Sequence, residues 1–183
     1  MRNTTKMIGV LTVVGIVSGA ALVLMYSYAN PLIEKNKKNE IKKAIFKIFP
    51  EGKSYTSETV DGVNVFRVKN NKGSFAGYAF LAEGNGYQGT IEMMAGLNPG
   101  MDTIVGLAIL ESQETPGLGQ EITTDKFTSQ FRALKVDPEI TYVKNVKPSN
   151  PNEIQAITGA TISSRAVCEI LNDTIKDLKN KLK

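Results

Sequence analysis

The chain has 183 residues, a formal net charge of +4, no histidine and a single cysteine, Cys168. Without histidine there is no Ser-His-Asp or Cys-His nucleophile and no histidine-held haem, and most zinc sites are also excluded. One cysteine cannot hold an iron–sulfur cluster or close an intrachain disulfide, and the modest positive charge lacks the interleaved aromatics of a single-strand binder. Nucleic acid is therefore not an expected partner, and any redox chemistry must come from an organic cofactor.

After a short tail over 1–6, no residue from Met7 to Ile33 is charged. At 1.5 Å per residue that stretch reaches roughly 40 Å as a helix, more than the roughly 30 Å hydrocarbon core of a bilayer. One transmembrane helix over 7–33 is expected. A cleaved signal peptide competes, because Ser27-Tyr28-Ala29 loosely resembles a cleavage site, but the apolar run exceeds the usual signal core. Gly9, Gly15 and Gly19, close to Ser18, Ala20 and Ala21, either suit packing against other membrane helices or reflect the ordinary glycine content of such spans. Pro31 is expected to mark the exit. Residues 34–50 then form a charged connector and a short amphipathic helix, with Ile41, Ala44, Ile45, Ile48 and Phe49 on one face and Pro50 as the stop.

Residues 51–183 are long enough for one domain with a real core. Val60-Asp61-Gly62-Val63 reads as a turn between two strands, the second with Val63, Val65 and Arg67 alternating against Asn64, Phe66 and Val68. Further strands are expected over 75–81, 86–94 and 103–111, with glycine-rich connectors at Gly84-Asn85-Gly86 and Asn98-Pro99-Gly100. Phe127, Phe131 and Leu134 predict a helix over 124–134, and 140–143 reads as a short strand followed by a loop at 148–151. From Ala166 on, Val167, Ile170, Leu171, Thr174, Ile175, Leu178 and Leu182 recur at helical steps, with Cys168 on the apolar side. Strands in succession followed by helices predict an α+β fold, an antiparallel sheet with helices packed on it.

Two segments carry candidate chemistry. Thr158-Gly159-Ala160-Thr161 places hydroxyls and small residues at the start of the last helix, where free N–H groups and the helix dipole favour a phosphate. The plainer reading is that Thr158, Thr161, Ser163 and Ser164 only cap the helix. Glu114-Thr115-Pro116-Gly117-Leu118-Gly119 is a turn whose two glycines would present Leu118 to a flat partner, or an ordinary strand-to-helix loop.

The first segment, with Ile154–Ile157 before it and Ile162–Val167 after it, resembles the flavin-attachment motif of the FMN-binding subunits of Rnf and sodium-pumping NADH:quinone oxidoreductase complexes. The second is similar to another signature of that family, and Gly86-Tyr87-Gln88-Gly89 and the N-terminal anchor also match. The compact length is more like the G subunit of the Rnf complex than the longer C subunit of the sodium pump. The resemblance implies an electron-transfer subunit of a membrane-bound ion-translocating ferredoxin:NAD oxidoreductase, a carrier with no catalytic acid or base and not an enzyme alone. It implies FMN joined through its phosphate to Thr161, with Thr158, Gly159, Ala160 and Ile162 around the phosphate and ribityl chain. Glu114, Thr115, Leu118 and Gly119 would lie at the isoalloxazine ring. Implied partners are the other membrane and redox subunits and a flavin-attaching transferase. The implied location is the bacterial inner (cytoplasmic) membrane, single-pass, with the flavin domain outside the cytoplasm.

One residue departs from the family pattern: many members carry Asp six residues before the acceptor, where this chain has Gln155. Charge counting also opposes the implied topology, since Arg2 and Lys6 precede the span while Lys35, Lys37, Lys38, Lys42 and Lys43 follow it. Two other classes stay open from the residues alone: a membrane-anchored binding or assembly module without flavin, and a stand-alone FMN-domain reductase.

Overall fold

The computed structural model describes residues 2–60 and 62–182; Met1 of the expected tail, Asp61 of the expected turn and the terminal Lys183 lie outside the described residues. Two compact units are distinguished, Met1–Glu40 and Ile41–Lys183.

Helix α1 spans Arg2–Ile48 and contains Pro31. The helix runs through the proline, so the tail from Arg2, the apolar span and the connector are all helical. A proline removes one backbone hydrogen bond and disfavours the helix by about 3 kcal/mol. Here the long apolar run before it and the good helix formers Leu32, Ile33, Glu34 and Lys35 after it outweigh that single loss. Within the first unit the large apolar side chains are exposed from Met7 to Ile33, and the helix is long and apolar enough to cross a membrane.

In the second unit the end of α1 and a six-stranded antiparallel sheet are ordered by sequence: β1 (Gly52–Val60), β2 (Val63–Asn70), β3 (Phe75–Asn85), β4 (Thr90–Leu97), β5 (Thr103–Ser112) and β6 (Leu134–Lys135). Alternation drives the layering, because successive side chains of a strand face opposite sides. One face carries Phe66, Val68, Ala79, Met94 and Ala108, against which Ala44, Ile45, Ile48 and Phe49 close. Gly96 makes that approach possible: a Cβ there would fall 2.5 Å from Ile48 Cγ2. The opposite face carries Val65, Phe80, Ile91, Met93 and Leu97 and receives α3 (Thr161–Leu182) through Val167, Ile170, Leu171, Ile175 and Leu178. Each such buried aliphatic side chain contributes roughly 1.5–3 kcal/mol relative to exposure, so both faces supply core.

Two expectations about elements are corrected, and an expected short strand gains a partner. Residues 86–89 are not strand: Gly86 N donates to Gly89 O at 2.7 Å, closing a turn, and β4 starts at Thr90. The helix expected over 124–134 is replaced by α2 (Asp125–Thr128) and a 3-10 turn (Ser129–Phe131), after an earlier 3-10 turn at Gly119–Thr123. Phe127 and Phe131 are buried together as their spacing predicts, but Ala133 takes φ 60° and its N–H donates to Ile104 O, so Leu134 joins the sheet edge instead. Finally, β7 (Thr141–Val143) pairs in parallel with β8 (Glu153–Gln155), a two-stranded sheet that delivers the chain to residue 158.

Candidate functional site

Helix α3 begins at Thr161, five residues before its apolar periodicity becomes visible in the sequence. Ala160 is its cap, since its carbonyl accepts from Ser164 N at 3.1 Å. Ser164 closes the entry from inside: its Oγ accepts from Ile157 N at 3.0 Å and donates to Ala160 O at 3.0 Å. Gly159 sits at φ +85°, where a side chain would be strained. The turn therefore leaves the first N–H groups of α3 pointing outward without intrahelical acceptors.

Beside this turn lies a cleft of about 440 Å³ lined by Glu114, Thr115, Leu118, Gly119, Gly159, Ala160, Thr161 and Ile162, together with Tyr87 and Ser163. All the sequence-predicted site residues except Thr158 meet here, brought from the segment after β5 and the start of α3. Leu118, 48% exposed, places Cδ2 only 3.4 Å from where a Cβ of Gly159 would be. Thr158 is turned away: its Oγ1 donates to Asn145 Oδ1 at 3.2 Å, and it lines a neighbouring groove with Gln130 and Gln155. In that groove the Gln155 backbone is held on both sides by the Gln130 amide, N–H to Oε1 at 2.8 Å and O to Nε2 at 3.2 Å.

Glu114 lines the cleft from a buried position and is held by three donors of the chain itself. It is 4% exposed, and its carboxylate accepts from Tyr87 N at 2.6 Å, Gln88 N at 3.1 Å and Ser163 Oγ at 2.7 Å. Thr115 Oγ1 donates to Gln88 Oε1, tying the same turn to the loop. The residues that sequence reasoning did not assign to the site are Tyr87 and Ser163. The glycine-bracketed Gly86-Tyr87-Gln88-Gly89 was the available signal for the first, but its strand assignment concealed a turn.

The four hydroxyls of the motif region are not equivalent. Ser163 and Ser164 are buried and bonded, and Thr158 is bonded to Asn145. Thr161 is half-buried, lines the cleft, and among the described residues its hydroxyl has no hydrogen-bond partner. Cys168 lies in the core, where burial and then the Glu169 charge push its thiol up to about 12, so it is inert packing.

Residues 86–176 match the family model described as FMN-binding domain. The chain is 31% identical to the G subunit of the ion-translocating oxidoreductase complex of Methanosarcina acetivorans, over 95% of this chain and 94% of that one. It belongs to the FMN-binding subunit family of the Rnf and sodium-pumping NADH:quinone oxidoreductase complexes. Another member, the G subunit of the proton-translocating ferredoxin:NAD(+) oxidoreductase complex of Clostridium ljungdahlii, is 29% identical over 92% of this chain and 88% of that one. The fold is shared with a crystal structure of Shewanella oneidensis NqrC, TM-score 0.59 at 24% identity, covering 66% of this chain and 63% of that one. The C subunit of the Na(+)-translocating NADH-quinone reductase from Parabacteroides distasonis gives 0.58 at 26% identity, covering 64% and 61%.

The FMN-binding match begins at the Tyr87 turn and ends within α3, and so contains every residue that lines the cleft. Those residues fit the group the family carries. The volume lies in the range of small-molecule sites, roughly 300–1,000 Å³, the α3 N-terminus offers donors to a phosphate, and Tyr87, Leu118 and Ile162 supply exposed apolar surface for a planar ring system.

Proposed function

We propose that this chain is the electron-carrying FMN subunit of a membrane-bound ion-translocating ferredoxin:NAD oxidoreductase, with the flavin joined through its phosphate to Thr161 Oγ1. The observation that carries this reading is that, among the described residues, the cleft-lining hydroxyl of Thr161 has no hydrogen-bond partner while its three neighbours are engaged. Thr161 would supply the ester oxygen, the first-turn N–H groups and the small Gly159 and Ala160 would hold the phosphate, and Leu118 and Ile162 would pack against the ring. FMN supplies the capacity to accept and pass on electrons; the protein's part is orientation and potential tuning. Covalent attachment follows from mass action, since a merely bound cofactor is lost where its free concentration is far below its dissociation constant. A domain outside the cytoplasm, anchored in the bilayer by the apolar part of α1, is where such an attachment would be needed. The lysines after the span argue the other way, but Lys42 and Lys43 belong to the compact unit that starts at Ile41, and companion membrane subunits can fix the insertion of one helix. The partners are the other membrane and redox subunits, with a flavin-attaching transferase acting during maturation.

The test is intact and peptide mass spectrometry of protein made alongside a flavin-attaching enzyme. Thr161→Ala should leave the chain folded, colourless and without the FMN mass. Retention of the adduct in that variant would overturn the assignment.

A further inference from the structure

Glu114 is a buried carboxylate whose three partners are all dipoles, two backbone N–H groups and one hydroxyl. Burying a charge is unfavourable unless its oxygens are satisfied, and here the satisfying groups come from two separate elements. Oε1 holds Tyr87 and Gln88 in the β3–β4 turn; Oε2 holds Ser163 in the first turn of α3. The surroundings are shaped to this carboxylate. A Cβ on Gly86 would lie 2.2 Å from Oε1 and 2.9 Å from Gly89 O, and one on Gly119 would lie 2.3 Å from Oε2 and 2.7 Å from Ser163 Oγ. A free carboxylate could swing away from such a Cβ, but this one is pinned by its three donors. The backbone on either side therefore has glycine where the carboxylate sits.

We propose that Glu114 is a positioning residue: by gripping the Tyr87 turn with one oxygen and the start of α3 with the other, it fixes the Tyr87 ring and the Thr161 hydroxyl on opposite sides of the flavin cleft. It acts through Tyr87 and Ser163 and not by touching the ring. The proposal rests on the flavin reading above, but the brace itself is a property of the chain alone. What matters is reach. Glu114→Gln keeps an acceptor for Tyr87 N and Gln88 N and can donate to Ser163 Oγ, whereas Glu114→Asp keeps the charge but is one methylene too short to serve both elements.

Two measurements on the full-length chain in detergent test this. Amide hydrogen exchange in the flavin-free Thr161→Ala background should show Tyr87 and Gln88 protected in the parent and in Glu114→Gln, with exchange at least tenfold faster in Glu114→Asp. In flavin-loaded protein, the visible circular dichroism of the flavin should be kept by Glu114→Gln and fall at least twofold in Glu114→Asp. If Glu114→Asp fails to fold, Ser163→Ala takes its place in the second measurement and should lower the flavin signal while leaving the Tyr87 and Gln88 amides protected. Parent-like behaviour of Glu114→Asp, or equal damage in Glu114→Gln, would overturn the proposal. Absence of flavin from the parent protein would defeat the attachment reading instead, and the exchange contrast would still decide whether Glu114 is the brace.

Discussion

Ser163→Ala separates a structural hydroxyl from a chemical one. Ser163 is 2% exposed and donates to a carboxylate that is itself 4% exposed, at 2.7 Å. A hydrogen bond to a charged group is worth roughly 1.5–3 kcal/mol, and removing one partner leaves the other buried and short of a donor. Glu114 Oε2 has Ser163 as its donor, while the two backbone N–H groups serve Oε1. The variant should therefore lose about 2 kcal/mol. At a urea m value of about 2 kcal/mol/M that lowers the midpoint by about 1 M, or the melting temperature by about 6 °C for a domain of this size. The chain has no tryptophan and six tyrosines, so near-ultraviolet circular dichroism of flavin-free protein in detergent follows the transition in the sheet domain. Peptide mass spectrometry of co-produced protein should still find FMN on Thr161. A midpoint shift corresponding to less than about 0.5 kcal/mol would show that the bond is not sheltered from water, and loss of the adduct would refute a purely structural role for this hydroxyl.

Leu118→Ala should keep the adduct but change the visible spectrum or midpoint potential of the flavin; an unchanged spectrum and potential would remove Leu118 from the ring. Its stability effect should be small, because the side chain is 48% exposed. Lys72→Cys places a thiol on the exposed β2–β3 turn of a chain whose native cysteine is buried. A membrane-impermeant maleimide should label it in intact cells, and labelling only after lysis would put the domain in the cytoplasm. Asp102 is held down at about 2 by the Thr103 hydroxyl, then the Asn98 amide and Lys135. Its folded value is below its ordinary value of 3.8, so its contribution is complete above that value and is lost as pH falls through it towards about 2. Acid titration of stability over that window should be less steep in Asp102→Asn than in the parent, and equal slopes would dismiss the network around the Asn98 turn.

The strands that alternate were legible because one period fixes both element and face. Val65 and Val68 fall on opposite sides of β2 as the pleat requires. The missed elements are those in which tertiary partners decide. Nothing in Phe127, Phe131 and Leu134 alone reveals that the Ile104 carbonyl will capture the Ala133 N–H and end the helical turn. The parallel pairing of β7 with β8 joins segments ten residues apart, each three residues long, too short to show a period. Pro31 lies inside α1, because a proline biases a helix and need not end it where many other helical bonds persist.

At the site, the residues were legible but their division of labour was not, and helical phase explains the difference. Counting 100° per residue from Thr161, Ser163 and Ser164 fall at 200° and 300°, while Arg165 returns to about 40°. Arg165 and Glu169 are exposed and form an ion pair along the solvent side of α3, whereas Ser164, Val167, Cys168 and Leu171 share the core side. By phase Thr161 stands at the edge of the core side, between Arg165 and Cys168, and its place in the first turn at the open end of the helix is what leaves it lining the cleft. The two serines turn inward, where a hydroxyl must find a partner and does, so phase and helix position together leave Thr161 the more reachable hydroxyl. What the phase could not reveal is Glu114, because its partners lie 26, 27 and 49 residues away in the chain. Its acidity and its place in a glycine-rich loop read equally well as a group facing a ligand. Only the three donors converging on it turn that carboxylate from a contact into the brace between two walls of the cleft.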